Sequence, residues 1–251
     1  MRYWLVLPAA GVGRRFGGSR PKQYAPLHGR TVIEWALAPF LADPRCAATV
    51  VAIGAGDAYW GEVAQRLVKT ARPPPELIVA SGGAERSQSV RACLAALQDR
   101  ASAQDWVLVH DAARPCLPAE DLERLLGRLG SHPLGGLLAA PAADTLKRER
   151  LSGDPTGGDR EVAQTVDRAG LWRALTPQMF RYGRLCEALD RALAAGRWPS
   201  DEAQALEWLG ECPSLVQGSA TNIKVTAPDD VLIAAALLRA RATAASEEHS
   251  P

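Results

Sequence analysis

Short apolar stretches alternate with amphipathic stretches through the first 140 residues of the chain. In the amphipathic stretches the apolar residues recur at helical spacing, and Thr31 and Asp57 are the predicted N-caps of two of them. The predicted strands are Tyr3–Leu7, Ala48–Ile53, Leu77–Ala80, Trp106–His110 and Leu137–Ala140, and the predicted helices are Val32–Leu41, Ala58–Val68, Val90–Leu97 and Asp121–Leu129. This alternation predicts an α/β fold with a single Rossmann-like, mostly parallel sheet and helices on both faces.

The alternation ends after Pro141. Residues 142–166 are polar and charged, with a glycine-rich tip at 152–159. The segments on either side of the tip could pair as a protruding β-hairpin arm, although disorder is the alternative that composition favours. Because an isolated two-stranded hairpin is marginally stable in water, an ordered arm would need another surface to pack on. A second subunit is the support that we expect, and the arm is therefore predicted to serve dimerisation.

Helical patterns return after the arm. They cover Leu185–Ala194 and Glu202–Leu209, and an amphipathic C-terminal helix begins at Asp229. No internal repeat or linker interrupts the chain. We therefore predict one domain over residues 1–241, with 142–166 inserted as the arm, and a frayed C-terminal tail over residues 242–251.

Composition narrows the possible partners. The chain of 251 residues is 47% hydrophobic and 23% charged, and its net charge of +1 provides no basic face for nucleic acid. Its five cysteines are widely spaced and form no C-x-x-C pair, which favours a reduced compartment over a disulfide framework or a zinc site. No apolar stretch approaches the length of a membrane span. These observations predict a cytoplasmic protein that binds neither nucleic acid nor membrane.

The segment LPAAGVGRRFGGSRPKQY follows the first predicted strand and has the glycines of a phosphate-binding loop. It is not a dinucleotide fingerprint, because Gly11 and Gly13 occupy the first two glycine positions but Phe16 stands at the third. It is not a P-loop either. Gly13 and Gly18 have the right separation, but Ser19 follows where the lysine should be.

Cations are concentrated in this segment. Arg14, Arg15, Arg20 and Lys22 lie within nine residues of one another, next to small residues that allow a ligand to approach the backbone. Arginine can contact several phosphate oxygens with its planar fork, and lysine adds a point charge. This combination favours a triphosphate with its metal over the pyrophosphate of a dinucleotide. The alternative is a solvated basic loop without a ligand.

Six segments, in order along nearly the whole chain, resemble one known family. They are PAAGVGRRFGGSRPKQY, GGAERSQSV, VHDAARP, TVDRAGLWRALTPQ, SDEAQALE and NIKVTAPDD. Together they are similar to the 2-C-methyl-D-erythritol 4-phosphate cytidylyltransferases of the non-mevalonate isoprenoid pathway. The resemblance implies a reaction of CTP with a sugar-alcohol phosphate that forms a CDP-alcohol and releases pyrophosphate. It also implies a homodimer in which the arm reaches into the neighbouring subunit.

The resemblance also implies roles for individual residues. The catalytic cations would be Arg15, Lys22 and Lys224, and Asp111 would bind Mg²⁺ and the nucleotide. The nucleotide-binding set would be Ala9, Ala10, Gly11, Gly13, Gly82, Gly83, Ser89 and Asp111. The polyol phosphate would contact Arg114 and Ser200 and, across the dimer, Thr145, Arg168 and Thr176.

Several of these assignments have structural alternatives. Asp111 could cap a turn, Ser89 could cap a helix, and Arg168 could form an ion pair on the charged arm. Asp201 and Glu202 could simply favour a helix N-terminus. Lys224 is harder to explain structurally, because NIKVT otherwise has the pattern of an apolar strand. His110 is expected to be buried and structural.

Three other functions remain open. A ribitol 5-phosphate cytidylyltransferase of the same superfamily would share most of these motifs. A non-catalytic nucleotide-binding module would be expected to lack one of Arg15, Lys22, Lys224 or Asp111, all of which are present. A nucleic-acid binder is disfavoured by the charge balance.

Overall fold

The computed structural model describes residues 1–11, 16–17, 20–70, 74–150 and 160–247, with side chains to residue 244. The strands are β1 (Tyr3–Pro8), β2 (Pro26–Leu27), β3 (Arg30–Thr31), β4 (Cys46–Ile53), β5 (Leu77–Ser81), β6 (Trp106–Val109), β7 (Gly135–Pro141), β8 (Leu146–Glu149), β9 (Val162–Val166), β10 (Trp172–Arg181) and β11 (Ser214–Gln217). The helices are α1 (Val32–Leu41), α2 (Trp60–Thr70), α3 (Arg86–Ala95), α4 (Ala119–Leu129), α5 (Tyr182–Ala194), α6 (Glu202–Glu207) and α7 (Pro228–Glu247).

A central seven-stranded sheet organises the molecule, in the order β11-β7-β10-β6-β1-β4-β5. The pairs β1–β4, β1–β6, β4–β5 and β7–β11 are parallel, whereas β10 runs antiparallel to both β6 and β7. The predicted mostly parallel α/β sheet is thus confirmed. The five strands predicted from apolar stretches are all present, and β10 and β11 were not predicted.

Side chains that alternate along the strands build a core on each face of the sheet. From β1, Leu5 and Leu7 enter one core and Val6 enters the other. The first core is covered by α1, α2 and α4, and the second by α3, α5 and α6. A smaller cluster beneath α7 contains Val225 and Ala234. Helices on both faces explain why the parallel strands are apolar throughout.

Local signals define the helix starts. The predicted N-cap Thr31 forms a capping box with Glu34, and the Asp57 carboxylate accepts the backbone N–H groups of Tyr59 and Trp60 where α2 begins. Helix α3 begins four residues before its predicted start, because a capping box centred on Glu85 initiates it at Arg86.

Two predictions near the C-terminus are wrong. The segment Asn222–Thr226 is not a strand; it is an irregular segment whose Val225 N–H donates to the carbonyl of Ala113. The C-terminal helix also continues through Glu247, so residues 242–247 are helical where a frayed tail was predicted. Residues 248–251 lie outside the described residues.

The arm exists as a hairpin. β8 and β9 pair antiparallel, with Leu146 opposite Val166. These two segments are therefore ordered strands, and the alternative of disorder does not hold for them. Every residue of β8 and all but the last of β9 are exposed. The tip at 152–159 lies outside the described residues. Within the described ranges, no helix combines the length and apolarity needed to cross a bilayer.

Candidate active site

A pocket of about 440 Å³ opens at the carboxyl ends of β1 and β6. This is where open α/β sheets commonly bind ligands. Its wall is formed by segments that follow β1, β5 and β6, together with the start of α3. The predicted site residues that line it are Ala9, Ala10, Gly11, Lys22, Gly83, Ser89, Asp111 and Lys224. Most of the predicted nucleotide-binding set therefore converges on one cavity.

Next to the pocket, Gly82 approaches Ala10 closely. Gly82 donates its N–H to the carbonyl of Ile53 at 2.8 Å, directly against Ala10. A β-carbon at Gly82 would lie 2.1 Å from the β-carbon of Ala10, so a larger residue would displace Ala10, which lines the pocket. The next residue, Gly83, donates its N–H to the Ser89 hydroxyl at 3.1 Å. Ser89 therefore shapes the loop from within α3.

Gln23 fastens the glycine-rich loop, a role that the sequence analysis missed. Its side-chain Nε2 donates to the carbonyls of Ala9 at 2.7 Å and Gly11 at 3.1 Å, and the residue is 4% exposed. A buried amide that bridges two loop carbonyls holds the loop in one conformation. Only its place beside Lys22 in the motif PKQY could have indicated this role.

Lys22 reaches the pocket from a single 3-10 turn, Lys22–Tyr24. The turn is anchored by Tyr24, whose hydroxyl donates to the Asp57 carboxylate at 2.8 Å and whose ring stacks on Tyr59. Lys22 is thus presented by a rigid turn. Arg15 and Gly13, the other predicted site residues of this loop, lie outside the described residues.

Asp111 lies at the centre of the charged part of the site, two residues after β6. Lys224 Nζ lies 2.7 Å from Asp111 Oδ2, Arg86 Nε lies 2.9 Å from Oδ1, and Arg114 Nε lies 3.6 Å from Oδ2. Burial alone would raise the pKa of Asp111, but Arg86, Lys224 and Arg114 outweigh it and hold the pKa well below its ordinary value. Asp111 is therefore an anion that gathers three cations at the pocket.

Arg86 and Glu202 complete this cluster and were not predicted as site residues. The Arg86 guanidinium binds Glu202 through both Nη atoms, at 2.6 and 3.1 Å, while its Nε binds Asp111. Burial, together with the charges of Asp201 and Asp111, raises the pKa of Glu202 above its ordinary value although Arg86 acts to lower it. Burial would lower the pKa of Arg86, but the carboxylates of Glu202 and Asp111 outweigh burial and raise that pKa above its ordinary value. Both residues stand in the quoted motifs, but their spacing does not reveal that they touch.

Thr176 and Arg114 lie behind Asp111. The Thr176 hydroxyl accepts the backbone N–H of Asp111 at 3.1 Å, inside its own chain. The Arg114 guanidinium donates to the carbonyls of Asn222 at 2.7 Å and Ala174 at 3.4 Å. In the free chain both side chains support the protein around Asp111, where the resemblance implied contacts with the polyol phosphate.

His110 is buried and structural, as expected from the sequence. Its Nδ1 lies 2.9 Å from the Thr176 hydroxyl and its Nε2 lies 3.1 Å from the carbonyl of Arg114. A carbonyl oxygen can only accept, so Nε2 carries the proton of the neutral ring and donates to it, and Nδ1 accepts from the Thr176 hydroxyl. Burial lowers the pKa of His110 to about 4, so the ring is neutral near pH 7.

None of the five predicted substrate residues lines this pocket, and three of them lie apart from Asp111 as well. Thr145 and Arg168 lie exposed at the base of the arm, where Arg168 Nη1 donates to the carbonyl of Ala143. Ser200 is exposed before α6, and its backbone N–H donates to Gln204 at 2.8 Å. Asp201 is the N-cap of α6, which confirms the structural alternative given for it above.

Comparison with known proteins gives a family match over nearly the whole chain. Residues 3–240 match the sequence model of the family IspD, 2-C-methyl-D-erythritol 4-phosphate cytidylyltransferase. The protein of that name from Ectopseudomonas mendocina is 51% identical over 231 residues, which are 92% of this chain and 93% of that protein. The one from Halorhodospira halophila is 49% identical over 250 residues, 99% of each chain.

Solved structures are similar over the same span. A crystal structure of 4-diphosphocytidyl-2C-methyl-D-erythritol synthase has a TM-score of 0.78 at 38% identity, covering 94% of this chain and 99% of that one. The 2-C-methyl-D-erythritol 4-phosphate cytidylyltransferase of Francisella tularensis has a TM-score of 0.74 at 32% identity, covering 94% of this chain and all of that one. This chain therefore belongs to the 2-C-methyl-D-erythritol 4-phosphate cytidylyltransferase family.

Proposed function

We propose that this protein is a cytidylyltransferase that converts CTP and 2-C-methyl-D-erythritol 4-phosphate to 4-diphosphocytidyl-2-C-methyl-D-erythritol and pyrophosphate. The observation that carries the proposal is the pocket itself. It combines a wall of small residues after β1 with Lys22 and Lys224 on the same cavity. Family membership over residues 3–240 favours the methylerythritol acceptor over ribitol 5-phosphate. CTP is a cytosolic nucleotide, so we place the reaction in the cytoplasm.

The reaction needs charge and positioning more than it needs a base. An oxygen of the acceptor phosphate attacks the α-phosphorus of CTP, the bond to the bridging oxygen of the β-phosphate breaks, and pyrophosphate leaves. The second pKa of a phosphomonoester is about 6, so the attacking oxygen is already largely anionic near neutral pH. The neutral, buried His110 is not required to remove a proton. Catalysis then rests on holding two anions together in line.

The cations of the pocket have distinct places in this scheme. Lys22 and Arg15 stabilise the α-phosphate and the departing pyrophosphate, and Lys224 approaches the α-phosphate from the side of Asp111. Lys22 and Lys224 line the cavity from different segments, which supports contacts with opposite sides of a bound phosphate. Positive groups aimed at charge that develops during the reaction are commonly the largest contribution to such catalysis.

The small-residue wall is the proposed cytosine and nucleotide site. Ala9, Ala10, Gly11 and Gly83 offer backbone groups at the cavity, and Gly13 and Gly82 belong to the same two loops. A cytosine ring presents a donor and acceptor pattern that differs from that of uracil. Backbone N–H and C=O groups held in place by Gln23 and Ser89 can discriminate between those patterns.

Mg²⁺ is proposed to accompany CTP. The described residues contain no group of three or more His, Cys, Asp or Glu side chains that could hold a metal by themselves. One buried carboxylate at a triphosphate pocket nevertheless fits Mg²⁺, which is usually held by one or two carboxylates together with substrate phosphates. Asp111 is the residue that would hold the ion, and the ion would neutralise part of the phosphate charge.

A homodimer is proposed to complete the polyol end of the site. The hairpin β8–β9 is exposed along both strands, and Leu146 and Val162 are exposed apolar residues on it. A second copy of the chain would cover them. Arg168 and Thr145 lie at the base of this arm and would contact the acceptor phosphate in the neighbouring subunit. Arg114, Thr176 and Ser200 are the remaining residues proposed for the acceptor side.

Pyrophosphate release tests the proposed reaction directly. The purified protein would be supplied with Mg²⁺ and each of the four NTPs, in the presence of 2-C-methyl-D-erythritol 4-phosphate, ribitol 5-phosphate or no acceptor. We expect release only with CTP and the methylerythritol acceptor. Preference for ribitol 5-phosphate would keep the chemistry and replace the acceptor. Absence of release with both acceptors would contradict the proposed function.

A further inference from the structure

Three residues of the quoted motifs have no role in the reaction described so far: Arg86, Gln178 and Glu202. The structure joins them into one connected path. Gln178 of β10 donates its Nε2 to Asp201 at 2.9 Å and accepts the backbone N–H of Ala203 at 2.9 Å. These two bonds fix the first turn of α6, and Glu202 is the first residue of that helix.

The path then crosses to the pocket through charged side chains. Glu202 is 1% exposed and binds both Nη atoms of Arg86, while Arg86 Nε binds Oδ1 of Asp111. The other oxygen of Asp111, Oδ2, binds Lys224. Because both Nη groups of Arg86 bind Glu202, only its Nε binds Asp111, at Oδ1. The second oxygen of Asp111, Oδ2, therefore remains for Lys224.

We infer that Glu202 is a positioning residue of the reaction, which acts through Arg86 and Asp111 to hold Lys224 at the α-phosphate. Glu202 itself does not line the pocket. A neutral residue in its place would leave the Arg86 fork free to bind both oxygens of Asp111, because arginine and carboxylate favour two parallel hydrogen bonds. Lys224 would then lose its partner and its fixed place. This inference rests on the proposed function for the catalytic role of Lys224.

The test compares Glu202→Gln with Asp190→Asn. Asp190 is a matched control because its carboxylate also binds an arginine of α3, Arg91, with contacts at 2.5 and 3.1 Å, but at an exposed position away from the pocket. For Glu202→Gln we expect kcat to fall about tenfold or more, as is typical when a group that orients a functional side chain is removed. We expect kcat/KM for CTP to fall in proportion, because the lost contact acts in the transition state. Asp190→Asn should keep the wild-type kcat.

A second measurement does not depend on activity. Trace labelling with acetic anhydride, followed by mass spectrometry, reports the reactivity of each lysine, with Lys69 and Lys147 as internal references outside the pocket. We expect labelling of Lys224 to increase in Glu202→Gln relative to those two lysines and to remain unchanged in Asp190→Asn. If wild-type protein releases no pyrophosphate, the proposed function fails, and this labelling alone decides whether Glu202 positions Lys224.

Two results would overturn the inference: wild-type kcat in Glu202→Gln, or a lower kcat with unchanged labelling of Lys224. Thermal unfolding of each variant establishes that it is folded at the assay temperature. If Glu202→Gln does not fold, Arg86→Lys provides the same test, because a lysine lacks the fork needed to bind two carboxylates at once. Arg86→Lys is then expected to lower kcat and increase Lys224 labelling, and wild-type values for both would refute the role.

Discussion

Individual side chains set the charge of this site. Asp111 has cations on both carboxylate oxygens, and Lys22 reaches the same cavity from a separate turn. An arrangement that gathers positive groups around one buried carboxylate suits a reaction between two phosphate anions. The pKa of Asp111 is held well below its ordinary value by these neighbours, so its carboxylate stays ionised near neutral pH.

Removal of a single loop cation should stop the reaction without unfolding the protein. We expect Lys22→Ala and Arg15→Ala each to lower kcat by about 100-fold or more, the usual effect of deleting a group that stabilises transition-state charge. Lys69→Ala, on α2, is the control and should retain activity. The measurements are pyrophosphate release and circular dichroism. Wild-type turnover in either loop variant would remove that cation from the mechanism.

The close approach of Gly82 to Ala10 should not tolerate a β-carbon. Gly82→Ala places a methyl 2.1 Å from the Ala10 β-carbon, and we expect a loss of about 1–3 kcal/mol in unfolding free energy together with a higher KM for CTP. Gly127→Ala is the control, because its methyl meets nothing within 4 Å on helix α4. That control should be neutral or stabilising by up to about 1 kcal/mol. Urea unfolding with equal losses for both variants would contradict this account.

At the scale of elements, the two strands of the arm stand apart from the central sheet in the part of the chain that the structure describes. β8 and β9 pair with one another and form a sheet separate from the central one. A two-stranded hairpin by itself is marginal, so its proposed partner is a second subunit. The arm continues through Arg168 into β10 of the central sheet. The position of Arg168 is therefore tied to that sheet.

Replacement of Arg168 should change the KM for the polyol phosphate and not the KM for CTP. We expect Arg168→Ala to raise the KM for the polyol phosphate about 10- to 100-fold, which corresponds to the loss of one or two charged hydrogen bonds, with little change in the KM for CTP. Arg160→Ala removes another exposed arginine of the arm, one that is paired with Glu149, and serves as the control. A defect confined to CTP would contradict the assignment of Arg168.

Some elements could be predicted from the sequence and others could not. The strands of the parallel core were predictable because each is a short apolar run buried on both faces. β10 was missed because Arg173, Thr176 and Pro177 interrupt its apolar pattern, and its pairing with β7 is irregular between Ala174 and Gln178. A mixed strand of this kind is stabilised by its two neighbours, β6 and β7, and those neighbours are not visible in a local pattern.

At the scale of the whole molecule, a site shared between subunits can be detected by mixing two impaired variants and assaying them well below the polyol phosphate KM of Arg168→Ala. Lys22→Ala lacks a cation in its own pocket, and Arg168→Ala lacks the residue proposed to reach the partner's pocket. In a mixed dimer one pocket carries both defects and the other carries neither. We therefore expect co-refolded or co-expressed variants to recover activity, as measured by pyrophosphate release. Lack of recovery in a proven mixed dimer would place Arg168 in its own subunit's site.

Stability of the whole molecule should depend on a carboxylate far from the pocket. Asp43 accepts the Tyr3 hydroxyl at 2.9 Å and pairs with Arg45, which also binds Glu123, so it links β1 to α4. Burial alone would raise the pKa of Asp43, but Arg45 and Tyr3 together lower it below the ordinary value of 3.8. The folded chain thus binds this proton less readily than the unfolded chain. Its contribution is present in full above about pH 4 to 5 and is lost as the pH falls further.

The Asp43 contribution can be measured by urea unfolding across pH. We expect Asp43→Asn to lower the unfolding free energy by about 1–3 kcal/mol at pH 7, since buried polar partners lose their acceptor. The difference between wild type and variant should shrink as the pH falls below the ordinary pKa of the carboxyl. Turnover at pH 7 should be unchanged. A difference that stays constant down to pH 3 would show that Asp43 titrates normally in the folded chain.

The sequence by itself determined the local elements and the set of side chains available for binding and catalysis. Apolar periodicity is a property of neighbouring residues, so five strands of the central sheet and most of the helices could be predicted. The glycines and cations likewise indicated the loop that carries Lys22, whereas the arm hairpin was one of two alternatives. The tertiary structure alone decided which distant side chains meet. Glu202, Arg86, Asp111 and Lys224 come from four separate segments, and their contacts depend on burial and on strand order. Coulombic and hydrogen-bond energies act over a few ångströms in space, and separation along the chain carries no information about them.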